Sequence, residues 1–138
     1  MTTKEYLRRY RRAQKDMEYT LRDLEAARVR LTGLRGIQLS DMPKGHDPER
    51  DLSAAFVKFE EEAERLNRIV EKDLAIMAGV ERSIRSVPTL TQYQVLRLRY
   101  MDGLKWDDIA EQIGKSRQWV NTVHGRALRN IRFFYEED

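Results

Sequence analysis

The 138 residues include no cysteine, so neither a disulfide framework nor a thiolate zinc site can be built. Histidine is nearly as scarce: His46 and His124 have no ligand partner at a metal-binding spacing, and His124 sits among basic residues that disfavour a bound cation. No window approaches the roughly 18 uninterrupted apolar residues of a membrane span, and the amino terminus lacks the apolar stretch of a secretion signal. A cytoplasmic protein with no membrane contact is therefore expected. Glycine-rich phosphate loops, a nucleophile elbow and a catalytic triad are also missing. The cluster Asp107, Asp108 and Glu111 is explained by a helix dipole and surface pairing. These absences argue against an enzyme and against any metal or cofactor, and the near absence of strand signal argues for an all-α fold.

What is present is 41% hydrophobic and 36% charged residues, enough for one small core with an elongated appendage. The net charge of +3 and the pI near 9.3 are only mildly basic, so distribution matters more than total. Residues 1–35 carry ten Lys/Arg against five Asp/Glu, residues 36–87 eight against eleven, and residues 88–138 eight against seven. Within the last block, Lys115 to Arg132 holds five basic residues and no acidic one.

Thr2 and Glu5 have capping-box spacing, which predicts a helix from about 3 to 34, ended by Gly33 and Gly36. Tyr10, Met17, Leu24 and Leu31 recur every seven residues, and Leu7 and Leu21 are assigned to the second seam position. Residues 35–48, with Gly36, Pro43, Gly45 and Pro48, read as a loop. Asp47 caps and Pro48 opens a second helix, to about residue 86. Its Leu52, Phe56, Phe59, Ala63, Leu66, Val70, Met77, Val80 and Ile84 alternate at spacings of three and four, skipping the turn around Asp73 and Leu74. The two stripes predict an antiparallel hairpin over residues 1–87, with the basic excess of the first helix facing Glu60, Glu61, Glu62 and Glu64.

Residues 88–138 predict a separate domain, flexibly linked near Val87 and Pro88. Thr89 with Gln92, or Thr91 with Gln94, fits a capping box for a helix through Tyr93, Val95, Leu96, Leu98 and Tyr100, ended by Gly103. A short helix with Trp106, Ile109, Ala110 and Ile113 follows and stops at Gly114. Ser116 then caps a last helix with Val120, Val123, Ala127, Leu128 and Ile131 on one face. Two helices joined by a short glycine-containing turn have the helix-turn-helix layout.

The string Leu98-Arg99-Tyr100, Gly103-Leu104, Asp107-Asp108-Ile109-Ala110, Gly114-Lys115-Ser116 and Arg126-Ala127-Leu128 resembles region 4 of the sigma-70 family. The long hairpin, the loop string Leu39 to Pro43, and His124-Gly125-Arg126 are similar to sigma-like regulators of Gram-positive phages and prophages, of the ArpU and RinA type. The resemblance implies a transcription regulator that binds double-stranded DNA. It departs from the sigma pattern at Lys105, where a Ser or Thr N-cap is usual, at a cost of about 1 kcal/mol. Nothing resembles the sigma segments that grip the polymerase clamp or melt the promoter.

On this reading Arg117, Gln118, Asn121 and Thr122 read base edges, since Arg can bridge guanine O6 and N7 while Gln and Asn pair with adenine. Lys115, Ser116, Trp119, Arg126, Arg129 and Arg132 contact the DNA backbone, with edge packing as the alternative for Trp119 and a solvated face for the cations. Gly125, costly inside a helix, marks a close approach of either another helix or the DNA. The competing function is a non-catalytic adaptor whose hairpin binds a protein such as RNA polymerase. Self-association through the striped hairpin is a further expectation.

Overall fold

The computed structural model describes residues 1–35 and 47–135. All regular structure among these is helical: α1 (Thr3–Arg35), α2 (Pro48–Arg85), α3 (Leu90–Leu96) running on into a π-helical turn (Arg97–Met101), α4 (Trp106–Ile113) and α5 (Arg117–Asn130). The long helices form an antiparallel hairpin, followed by a three-helix bundle. The loop string Leu39 to Pro43 and His46 lie outside the described residues.

Helix starts fall where their capping chemistry predicts. The Thr2 N–H donates to Glu5 Oε2 at 2.7 Å and the Glu5 N–H donates back to Thr2 Oγ1 at 3.2 Å, a complete capping box. The Thr2 N–H also holds the Glu5 carboxyl below the usual carboxylate range. Asp47 Oδ1 accepts from the Arg50 N–H at 3.2 Å ahead of α2. Of the two candidate caps for α3, Thr89 is the one used, accepting from the Gln92 N–H at 3.2 Å. The side chain of Gln92 then serves a different end, its Oε1 accepting from Asn130 Nδ2 of α5 at 3.3 Å.

The hairpin seam differs from the expected one. Leu21 is 46% exposed, whereas Ala13, Thr20 and Ala27 are buried. The second seam of α1 is therefore Tyr6, Ala13, Thr20 and Ala27, alternating by three and four with Tyr10, Met17, Leu24 and Leu31. Three of these four side chains, Ala13, Thr20 and Ala27, are small, so a reading weighted by hydrophobicity does not detect them. In α2, Asp73 is buried on the seam rather than skipped, and Phe56 is exposed. The expected charge matching is thin: Arg30 meets Glu62 at 3.5 Å, Glu64 pairs with Arg68 of its own helix at 3.4 Å, and Glu60 and Glu61 make no ion pair among the described residues.

The chain forms two compact units, Met1–Lys15 with Asp73–Asp138, and Asp16–Lys72. The division runs through both long helices, and the cores follow it. One apolar cluster of the first unit, Val95, Ile109, Ala110, Val120 and Val123, belongs to the bundle alone. The other joins Tyr6, Leu7, Val80 and Ile84 of the long helices to Leu96, Tyr100, Met101, Ala127 and Ile131. The hairpin base adds buried apolar surface to a bundle of about 50 residues, a size at which a single core is marginal. Nor is the link a free joint: Val87 packs on the shared cluster, and Ser86 Oγ donates to the Ser83 carbonyl at 2.6 Å and accepts from the Arg132 N–H at 2.9 Å.

Beyond α5 the chain turns extended at Ile131 and lies against the hairpin base. Tyr6 Oη donates to the Phe134 carbonyl and shares a hydrogen bond with Ser83 Oγ at 2.8 Å, while the Phe134 N–H donates to Ser83 Oγ at 3.1 Å. Arg82 stacks over the Phe134 ring, 4.2 Å from its centroid. Gly79 makes this contact possible, since a Cβ there would stand 2.8 Å from the Phe134 carbonyl oxygen. In the second unit, Thr20, Ala27 and Leu66 are buried, and Tyr19, Leu21, Val29, Phe56 and Val57 are exposed.

Candidate nucleic-acid interface

The π-helical turn brings Tyr100 and Met101 into the core and ends on a five-residue bond from the Asp102 N–H to the Arg97 carbonyl at 3.0 Å. Gly103 follows with φ of 72°, and the Leu104 N–H bonds back to the Leu98 carbonyl at 2.9 Å. Lys105 takes the extended N-cap conformation of α4 without a side-chain bond, as its chemistry requires. Tertiary packing holds the helix instead, through buried Ile109 and Ala110 with Trp106 and Ile113 alongside. Asp107 and Asp108 occupy the first turn, where the dipole favours them.

Gly114 closes α4 in the left-handed conformation, φ 77°, with the Lys115 N–H on the Ala110 carbonyl at 3.0 Å and its own N–H on the Glu111 carbonyl at 3.2 Å. That pair of bonds is a Schellman cap, and it reverses the chain within three residues. Ser116 Oγ then accepts from the Trp119 N–H at 3.1 Å and starts α5. Val120, Val123 and Ala127 are buried, anchoring one side of α5. At 100° per residue, Gln118, Thr122, Gly125 and Arg129 lie along the opposite side, flanked by Asn121 and Arg126.

Arg117, Gln118, Asn121 and Thr122, the four expected base readers, are all exposed. Arg117 Nη1 rests 3.3 Å from Asp107 Oδ1 of α4; both side chains are mostly exposed, so the pair contributes at most about 1 kcal/mol and is readily exchanged for another acceptor. Thr122 Oγ1 donates to the Gln118 carbonyl at 3.0 Å. Among the expected backbone contacts, Lys115, Ser116, Arg126, Arg129 and Arg132 are exposed. Trp119 is half-buried against the bundle core, with Lys115 Nζ 5.5 Å from its ring centroid. A Cβ at Gly125 would meet only Arg129 Nη1, at 3.9 Å, so no other described helix approaches that position.

Behind this face is a cluster that motif reading missed. His124 is buried, with Tyr100 Oη 2.8 Å from its Nε2 and the Trp106 ring edge-on at 4.6 Å. Burial, with Lys4 and Arg99 adding repulsion, lowers its pKa to about 4. Burial raises the Tyr100 hydroxyl above its ordinary value. Both groups are therefore neutral near pH 7, and the ring is a packing element of α5. In the sequence it interrupts an otherwise apolar face. No group of three or more His, Asp or Glu that could hold a metal occurs among the described residues, and no described helix is long and apolar enough to cross a membrane.

A family model described as sigma-70, region 4 matches residues 90–132, from the start of α3 to just past α5. No curated protein and no solved structure matches the chain. The last third of the chain is thus a sigma-70 region 4-like helix-turn-helix, a DNA-binding fold, and the match leaves out both long helices.

Proposed function

We propose that this protein is a cytoplasmic, non-catalytic transcription regulator of the kind phages and prophages encode, which reads a promoter or operator by laying α5 in the major groove. The observation that carries the reading is the exposed polar face at the start of α5, held on a helix capped by Ser116 and anchored by Val120, Val123 and Ala127. Arg117 and Gln118 make the leading base contacts, Asn121 and Thr122 extend them, and Lys115, Ser116, Trp119, Arg126, Arg129 and Arg132 hold phosphate or sugar. Asp107 keeps the Arg117 guanidinium near the start of the helix until guanine replaces it. Fluorescence anisotropy against duplexes from a randomised pool, at low and near-physiological salt, tests this. Arg117→Ala with Gln118→Ala should erase the preference between duplexes; binding that is absent, or preference unchanged in that variant, contradicts it.

A second reading, an adaptor for a protein such as RNA polymerase, draws support from the exposed apolar side chains Leu21, Val29, Phe56 and Val57 in the second unit. The same residues support self-association, which light scattering at high concentration tests directly. Salt separates adaptor from DNA reader, because an apolar contact loses little affinity as ionic strength rises.

A further inference from the structure

Residues 4–15 carry six basic side chains and one acidic one, the densest positive charge in the first helix. Lys4, Arg8, Arg11 and Lys15 follow one another at spacings of four, three and four, so they fall on a single line of α1, and all four are exposed. The opposite side of the same turns is buried through Tyr6, Leu7 and Ala13. With Arg12 beside them, these cations make no ion pair with any described residue. Arg11 Nη1 donates to Gln14 Oε1 at 2.8 Å, and Glu5 is the one acidic side chain within this stretch.

The line belongs to the same compact unit as α5. Leu7 and Tyr6 share their core with Tyr100, Ala127 and Ile131, so α1 lies directly on the bundle that carries α5. The Arg11 guanidinium covers the turn between α3 and α4, its Nε 2.8 Å from where a Cβ on Gly103 would stand. Lys4 and Arg8 are close enough for their charges to act on His124 of α5 and on Tyr100 respectively. From Lys4 to Lys15 the line runs about 16 Å at ~1.5 Å per residue. Duplex DNA presents about ten phosphate charges over that length, at one per ~1.7 Å of axis.

We infer that Lys4, Arg8, Arg11 and Lys15 of α1 form a second DNA-contacting surface, which grips the phosphate backbone of the duplex that α5 reads. The inference rests on the DNA-reading proposal for α5, and it adds a contact outside the helix-turn-helix. Phosphate contacts add affinity and register without sequence information, so this surface raises binding to every duplex alike.

The test is the triple variant Lys4→Gln, Arg8→Gln, Lys15→Gln. Gln preserves helix propensity, and Arg11 stays because it packs on the Gly103 turn. Binding is measured against salt for a preferred and a scrambled duplex, with thermal melting as the control for folding. Affinity should fall by the same factor on both duplexes, and the slope of log K against log salt should flatten by up to about 2.7, at about 0.9 per lost phosphate contact. Arg8→Gln alone should flatten it by about 0.9. A triple variant that melts and binds like the parent, with the same slope, overturns the inference while leaving α5 as the reader. Altered preference between duplexes at unchanged slope overturns it too. A parent protein that binds neither duplex overturns the α5 reading and this inference together.

Discussion

The two compact units spend their apolar residues differently. In the first, Leu7, Val80, Ile84, Val95, Leu96, Ile109, Val120 and Ala127 have no measurable exposure. In the second, the buried positions among the described residues are Thr20, Ala27 and Leu66, while Tyr19, Leu21, Val29, Phe56 and Val57 face outward. A side chain that must meet a base edge needs a helix whose own position is fixed by packing, and only the first unit offers that. The second has the thin seam of a two-helix pair.

The sharpest way to break this contrast is truncation. Leu96→Ala should destabilise the first unit by about 2–5 kcal/mol, because a fully buried side chain leaves a cavity. Val57→Ala should stay within about 0.5 kcal/mol. Urea titrations of both variants measure this, and similar losses would mean that the second unit is as tightly packed as the first.

Acid sharpens the contrast through His124. Its pKa is about 4 in the folded chain against an ordinary 6.5, so between those values the unfolded chain binds more protons. Stability from this group is complete above pH 6.5 and is lost as pH falls towards 4, up to roughly 3 kcal/mol in all. His124→Phe should flatten that part of the pH profile, whatever it costs at neutral pH through the stranded Tyr100 hydroxyl. An unchanged slope between pH 6.5 and 4 in the variant would remove His124 from the account.

Two glycines of the first unit should respond in opposite directions. Gly103→Ala meets both a φ of 72° and the Arg11 guanidinium, and should lose about 1–2 kcal/mol. Gly125→Ala meets nothing closer than 3.9 Å in a helix interior, and should gain about 1 kcal/mol. Thermal melting decides both, and a destabilised Gly125→Ala would reveal packing on the outer face of α5. At the start of α1, Thr2→Ala removes one half of an exposed capping box and should cost about 0.5–1 kcal/mol.

Features set by a few neighbouring residues were legible in the sequence. Thr2 with Glu5, Asp47 with Pro48, Gly103, Gly114 and Ser116 each mark a helix end through local bonds, and the helix-turn-helix follows from their spacing. The hairpin seam was only half legible, because choosing Leu21 over Thr20 follows hydrophobicity, whereas the 3.5-residue repeat follows geometry. The π-helical turn over Arg97–Met101 has no residue signature, and either Thr89 or Thr91 could have capped α3. The shared core of Tyr6, Leu7, Val80 and Ile84 with the bundle depends on contacts far apart in sequence, so a cut at residue 87 looked natural. For the interface, exposure of Arg117, Gln118, Asn121 and Thr122 follows directly from the apolar period of α5. Neither the Asp107 partner of Arg117 nor the cover of Arg11 over Gly103 could be read without a fold.

On the proposed function, the start of α5 carries the sequence preference. Selection of bound duplexes from a randomised pool, followed by sequencing, tests it most directly when run on the parent protein and on the Arg117→Ala, Gln118→Ala variant together. The parent should enrich a short motif, and the variant should retain weaker, salt-sensitive binding that enriches none. Enrichment of the same motif by both would contradict the claim and move sequence reading away from α5.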